Sequence, residues 1–180
     1  MRQMDHIRGM QHEVLILTTG GTIDKVYFDA KSTYSVGDPQ IGEVLRQAHV
    51  TLPYRIVSLM RKDSLDLTGE DRELIRKYIQ TSEHSLVLVT HGTDTMTKTA
   101  AALKGIPGKT IVLTGALMPA RFKDNDAIFN IGFALGALQA LPEGVYISIG
   151  GCIHDPSRVR KDRQLNRFIE ITNGEDQGRD

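Results

Sequence analysis

"VLILTTGGTID", residues Val14–Asp24, decides the fold. Val14 to Leu17 is an unbroken apolar run, which suits a strand covered on both faces rather than one alternating between core and solvent. The run stops at Thr18-Thr19-Gly20-Gly21-Thr22, where hydroxyls and bare backbone replace bulk. Further short apolar runs share the pattern: YRIVSLM (Tyr54–Met60), SLVLVTH (Ser85–His91), TIVLTGA (Thr110–Ala116) and VYISIGG (Val145–Gly151).

Helical spacing fills the intervals. Ile41, Val44, Leu45 and Ala48 fall at i, i+3, i+4 and i+7, with Asp38-Pro39 read as N-cap and first helical residue. Leu74, Ile75, Tyr78 and Ile79 form a second stripe, opened by Thr68 with Asp71 three residues on. DTMTKTAAALKG (Asp94–Gly105) is a third helix closing on a C′ glycine. Ile128, Ile131, Leu135 and Leu138 make a fourth, behind an acidic start at Asp124 and Asp126. Strands alternating with helices predict an α/β fold, a doubly wound, mostly parallel sheet with helices on both faces. Ligands on such sheets bind beyond the carboxyl ends of the strands. TTGGT, THGTDT, TGALMP and GGCIHD each follow a strand, which places four polar, glycine-bearing loops on one edge.

The totals narrow the function. A chain of 180 residues can bury a full core without staples, and the boundaries read as an extension (1–13), one domain (14–170) and a polar tail (171–180). Formal net charge is zero, so no global field draws in nucleic acid or an anionic membrane. MRQMDHIRGMQHE has no apolar core for a secretory signal, and no apolar run reaches the ~18–20 residues of a membrane span. The cytoplasm is the expected compartment. The one cysteine, Cys152, rules out an internal disulfide and reads as a small buried thiol. The six histidines show no metal-ligand spacing, and neither a Walker nor a dinucleotide fingerprint is present, so no metal or cofactor is expected.

Chemistry concentrates in three places. Gly20-Gly21 permits backbone geometry closed to other residues, and Thr22 behind it is a nucleophile if a base activates it, or else a turn or N-cap residue. Thr93 stands beside Asp94, either as a helix cap or as a hydroxyl–carboxylate relay, with His91 as a neighbouring base or a structural histidine. His154–Arg167 holds a dense cationic cluster, read from composition as a solvated helical face. Lys25–Gln40 lacks periodicity and is long enough to be a lid.

These motifs occur together elsewhere. TTGGTID, STYSVG, KDSLDLT, VTHGTDTM, TGALMP and SRVRKD, in that order from about Val14 to about Arg167, resemble the bacterial-type L-asparaginases. The resemblance implies hydrolysis of a small side-chain amide with Thr22 as nucleophile and Tyr34, on the mobile loop, orienting it. It implies a second set of Thr93 and Lys161, with Asp94 binding the substrate amino group and Ser64 the α-carboxylate. Gly21, Leu65, Gly92 and Ala116 complete the substrate-binding set it implies. Leu65 is apolar where the family carries a polar substrate-binding residue. The family also has a second α/β domain that lends an acidic group to the neighbouring subunit, and this sequence ends before one. A homodimer covering the site is the expectation, with a small-molecule amide as substrate. Two other readings stand beside the enzyme: a binding or sensor domain that keeps the pocket, and a subunit that needs a partner chain.

Overall fold

The apolar runs become strands because both their faces find cover. The computed structural model describes residues 13–28 and 33–171. In chain order the first half holds β1 (Val14–Thr18), β2 (Lys25–Phe28), β3 (Thr33–Val36), α1 (Ile41–Gln47), β4 (Tyr54–Ser58), α2 (Gly69–Thr81) and β5 (Leu86–Thr90). The second half holds α3 (Met96–Leu103), β6 (Thr110–Thr114), α4 (Ala127–Ala140), β7 (Gly144–Ile149), β8 (Cys152–His154), β9 (Val159–Asp162) and β10 (Arg167–Glu170).

The main sheet runs β4-β1-β5-β6-β7-β8, parallel except for β8. Leu15, Leu17, Val87, Val89, Ile111 and Leu113 pack on one face with Ile75, Ile79 and Met96 of the α2–α3 layer. Val14, Ile16, Leu88 and Val112 pack on the other with Ile41, Leu45, Ile131 and Leu138 of α1 and α4. Each such buried aliphatic side chain contributes about 1.5–3 kcal/mol. The doubly wound α/β expectation is met. β4 departs from it in one respect: as the edge strand it is only half-buried.

Helix ends follow the expected chemistry at Thr68, which forms a capping box with Asp71, and at Gly105, which sits at φ 77 just past α3. Other details differ. The α1 N-cap is Gln40, not Asp38, whose carboxylate instead pairs with Arg61 at 2.7 Å. Leu74 and Ile128, counted in the apolar stripes, are both 49% exposed. Gly150-Gly151, at φ 60 and 77, forms a two-residue hairpin turn, so GGCIHD folds back as β8 and leaves Cys152 exposed, not buried.

Within the Lys25–Gln40 connection, β2 pairs with β3 as an antiparallel ribbon, and Tyr27 lies opposite Tyr34. The cationic cluster is a hairpin of β9 and β10, not a helix. Asp162 Oδ1 accepts from the backbone N–H groups of Gln164 and Leu165, and Asn166 takes the left-handed conformation that ends the turn. Residues 1–12 of the extension and 172–180 of the tail lie outside the described residues.

The winding sets the site. The chain leaves β1 toward α1 on one face and leaves adjacent β5 toward α3 on the other. A crevice opens where neighbouring strands send their connections apart. TTGGT and HGTDT are its two lips.

Candidate active site

The lips touch through missing side chains. Gly20 and Gly21 take φ values of 95 and 94. A Cβ on Gly21 would lie 2.5 Å from the Cα of Gly92, and a Cβ on Gly92 would lie 2.7 Å from Ser64 Oγ. The β1 loop, the β5 loop and the Ser64 turn are therefore stacked at a spacing only glycine permits. Thr22 opens a 3-10 turn (Thr22–Asp24) directly behind this contact and is partly exposed.

Across the crevice, Lys161 Nζ donates to Thr93 Oγ1 at 2.6 Å and to Asp94 Oδ1 at 2.8 Å. Two adjacent residues on one loop, Thr93 and Asp94, thus share one lysine amine, 68 and 67 positions further along the chain. Lys161 reaches them from β9, which is held down by buried Val159 and by Phe168 of β10 packing on the core. Arg163 stands 4.0 Å from the same Asp94 oxygen, on the solvent side.

His91 is not a base for this site. It is fully buried, with Nδ1 2.7 Å from the Gly92 carbonyl and Nε2 2.8 Å from Thr99 Oγ1. Burial pushes the imidazole down to about 4, so it is neutral at ordinary pH, with both ring nitrogens engaged. Its role is structural.

Asp24, which the motifs do not single out, ties the Thr22 turn to the root of the ribbon. Its carbonyl accepts from Gly37 N–H at 2.8 Å and its Oδ1 accepts from Gln40 N–H at 2.8 Å. The side chain is nearly inaccessible, and burial raises its carboxyl to about 6 against the opposing Gln40 N–H and the charge of Arg61. The folded state then holds its proton to higher pH than the unfolded chain does. Stability falls as pH rises from about 4 through 6, and above that the ionised group costs up to about 3 kcal/mol. Asp24→Asn keeps an acceptor for Gln40 and removes the charge. We expect it to melt higher than the wild type at pH 7.5, with the gap closing below pH 4; equal melting curves at both pH values would refute this account.

The remaining expected site residues are placed unequally. Ser64 is buried beside Gly92, and its Oγ has no hydrogen-bond partner among the described residues. Leu65, next to it, is 60% exposed. Ala116 is buried and packs with Ile23 and Ala127. Tyr34 has its backbone in β3, and its side chain lies outside what the structure describes. No group of three or more metal-ligating side chains occurs among the described residues. A separate cleft lined by Arg55, Tyr78, Ser82 and His84 lies at the opposite ends of the strands, away from all of these residues.

Comparison with known proteins gives a consistent picture. The family model described as "Asparaginase, N-terminal" matches residues 13–168. The L-asparaginase of Thermococcus kodakarensis is 30% identical over 169 residues, covering 88% of this chain and 51% of that protein. The solved structure of that thermostable enzyme matches with a TM-score of 0.76 at 26% identity, again over 88% of this chain and 51% of the other. A glutamyl-tRNA(Gln) amidotransferase subunit of Thermoplasma volcanium is 32% identical over 96 residues, covering 52% of this chain and 24% of that protein. The chain thus spans about half the length of the L-asparaginase it matches.

Proposed function

This chain belongs to the asparaginase family, and from that premise we propose that it is an amidohydrolase releasing ammonia from a small side-chain amide, L-asparagine or a close relative. One observation carries the reading: Lys161 Nζ on Thr93 Oγ1 at 2.6 Å and on Asp94 Oδ1 at 2.8 Å, beside the glycine contact that carries Thr22.

In this reading Thr22 Oγ attacks the amide carbonyl carbon and its proton leaves through Thr93 to Lys161 Nζ. Backbone N–H groups of the Gly21–Thr22 and Gly92–Thr93 segments stabilise the oxyanion. Collapse breaks the C–N bond, the proton returns to the departing nitrogen, and ammonia leaves an ester on Thr22. Water then cleaves the ester to the acid. Ser64 binds the substrate carboxylate, Asp94 its amino group, and Tyr34 on the ribbon orients Thr22. Gly21, Gly92 and Leu65 border the ligand. The same reading takes the protein to act in the cytoplasm as a homodimer whose contact covers the crevice.

The similarity to an amidotransferase subunit favours a second reading, a subunit that works with a partner chain. The deciding experiment is ammonia release from L-asparagine, D-asparagine, L-glutamine and simple amides, with light scattering on the same sample. Release from at least one side-chain amide is the expected result. Background release from all of them, while L-aspartate still raises the melting temperature, would overturn the independent enzyme in favour of a binding domain or a partnered subunit.

A further inference from the structure

Arg72 lies on the first turn of α2, outside the crevice, yet its guanidinium ties the start of that helix to Thr95, on the β5 lip, and to Thr99 of α3. Nη1 donates to the carbonyls of Leu67 and Thr68 at 2.9 and 3.0 Å. Nη2 donates to Thr95 Oγ1 and Nε to Thr99 Oγ1, both at 3.2 Å. A guanidinium can only donate, so both threonine oxygens accept from it and turn their own protons onward. Thr95 donates to the Ser64 carbonyl at 2.6 Å. Thr99 donates to His91 Nε2 at 2.8 Å. A carbonyl can only accept, so His91 Nδ1 carries the ring proton and gives it to the Gly92 carbonyl at 2.7 Å.

The directions are thereby fixed from two ends: Arg72 donates to both hydroxyls, and the Gly92 carbonyl sets the tautomer of His91. Thr95, Thr99, His91 and Ser64 are all buried, where an unmade hydrogen bond is costly and a completed one rigid. The two relays end on Ser64 and Gly92, the residues whose close approach forms one wall of the crevice. In a trans peptide the carbonyl and the following N–H point opposite ways. Fixing the Gly92 carbonyl therefore also fixes the direction of the Thr93 N–H.

We infer that Arg72 is a positioning residue for the site, acting through Thr95 on the ligand-binding wall at Ser64 and through Thr99 and His91 on the Gly92–Thr93 peptide. The kinetic half of this inference rests on the amidohydrolase reading. It makes the two arms separable: the Ser64 arm governs substrate binding and the Gly92 arm governs turnover.

The test compares wild type with Arg72→Met, Thr95→Val and Thr99→Val. With L-asparagine, Thr95→Val is expected to raise KM about tenfold and leave kcat within about twofold. Thr99→Val is expected to lower kcat about tenfold at nearly constant KM, and Arg72→Met to do both. Losses of one shape in all three variants, proportional to the fall in melting temperature, would overturn the inference. A readout independent of turnover is the His91 Nδ1 proton by NMR. It should exchange slowly in wild type and Thr95→Val, and about tenfold faster or more in Thr99→Val and Arg72→Met. If no ammonia is released by any of the proteins, the amidohydrolase reading fails alone and proton exchange decides: equal exchange in all four overturns the positioning role, and the predicted split upholds it.

Discussion

Thr22→Ala is expected to lower ammonia release by about 10⁴-fold or more, equivalent to about 5 kcal/mol of transition-state stabilisation. The magnitude follows from the proposed covalent step. Without an oxygen at residue 22 no ester forms, and what survives is water attack assisted by bound-substrate geometry and the oxyanion donors. The change should act on chemistry and leave the fold intact. Thr22 is partly exposed, and the glycine contact before it is made by backbone, so the melting temperature should move little. Thr22→Ser should retain part of the rate, because it keeps the hydroxyl and loses only the methyl group. Full activity in Thr22→Ala would eliminate the nucleophile assignment, and a matching collapse in stability would leave a structural role as the explanation of any loss.

The parallel strands of the main sheet are legible in the sequence because burial on both faces leaves no alternation to misread, whereas the β2–β3 ribbon and β8 carry no such signal. Val14–Leu17, Val87–Val89 and Ile111–Leu113 say "interior" at every position, and each is buried. Helix stripes were less secure. Leu74 and Ile128 fit the spacing and still face solvent, since spacing fixes a face only when the neighbouring layer is wide enough to cover it. The hairpin at Val159–Glu170 was missed because its charges dominate the composition. The signal lay in the turn, which opens at Asp162 and closes at Asn166.

For the site, local motifs located the loops and the resemblance supplied the roles. Neither exposed the supports. Asp24, Arg72, Thr95 and Thr99 are ordinary residues at ordinary spacings, and their importance comes from partners far along the chain: Gln40 for Asp24, Thr99 for Arg72, Ser64 for Thr95. Such long-range hydrogen bonds leave no periodic trace.

Lys161 provides the sharpest separation between charge and proton transfer. Lys161→Met should lower kcat by about 10³-fold, within the range that removal of a positioned proton acceptor produces. The cost to stability should be modest, within about 1–2 kcal/mol, because the Lys161–Asp94 pair is only partly buried and Arg163 stands by at 4.0 Å. Lys161→Arg is the informative companion. It preserves a cation near Thr93 and Asp94, but a guanidinium stays protonated at any working pH and cannot take a proton from Thr93. If Lys161 acts as the acceptor, Arg should be about as inactive as Met while melting close to the wild type. If Lys161 serves only to hold Thr93 and Asp94 in place, Arg should restore most of the rate. Kinetics of the two variants beside their melting curves distinguish these cases, and an active Lys161→Arg enzyme would remove Lys161 from the proton path and leave it as the electrostatic anchor of the β5 loop.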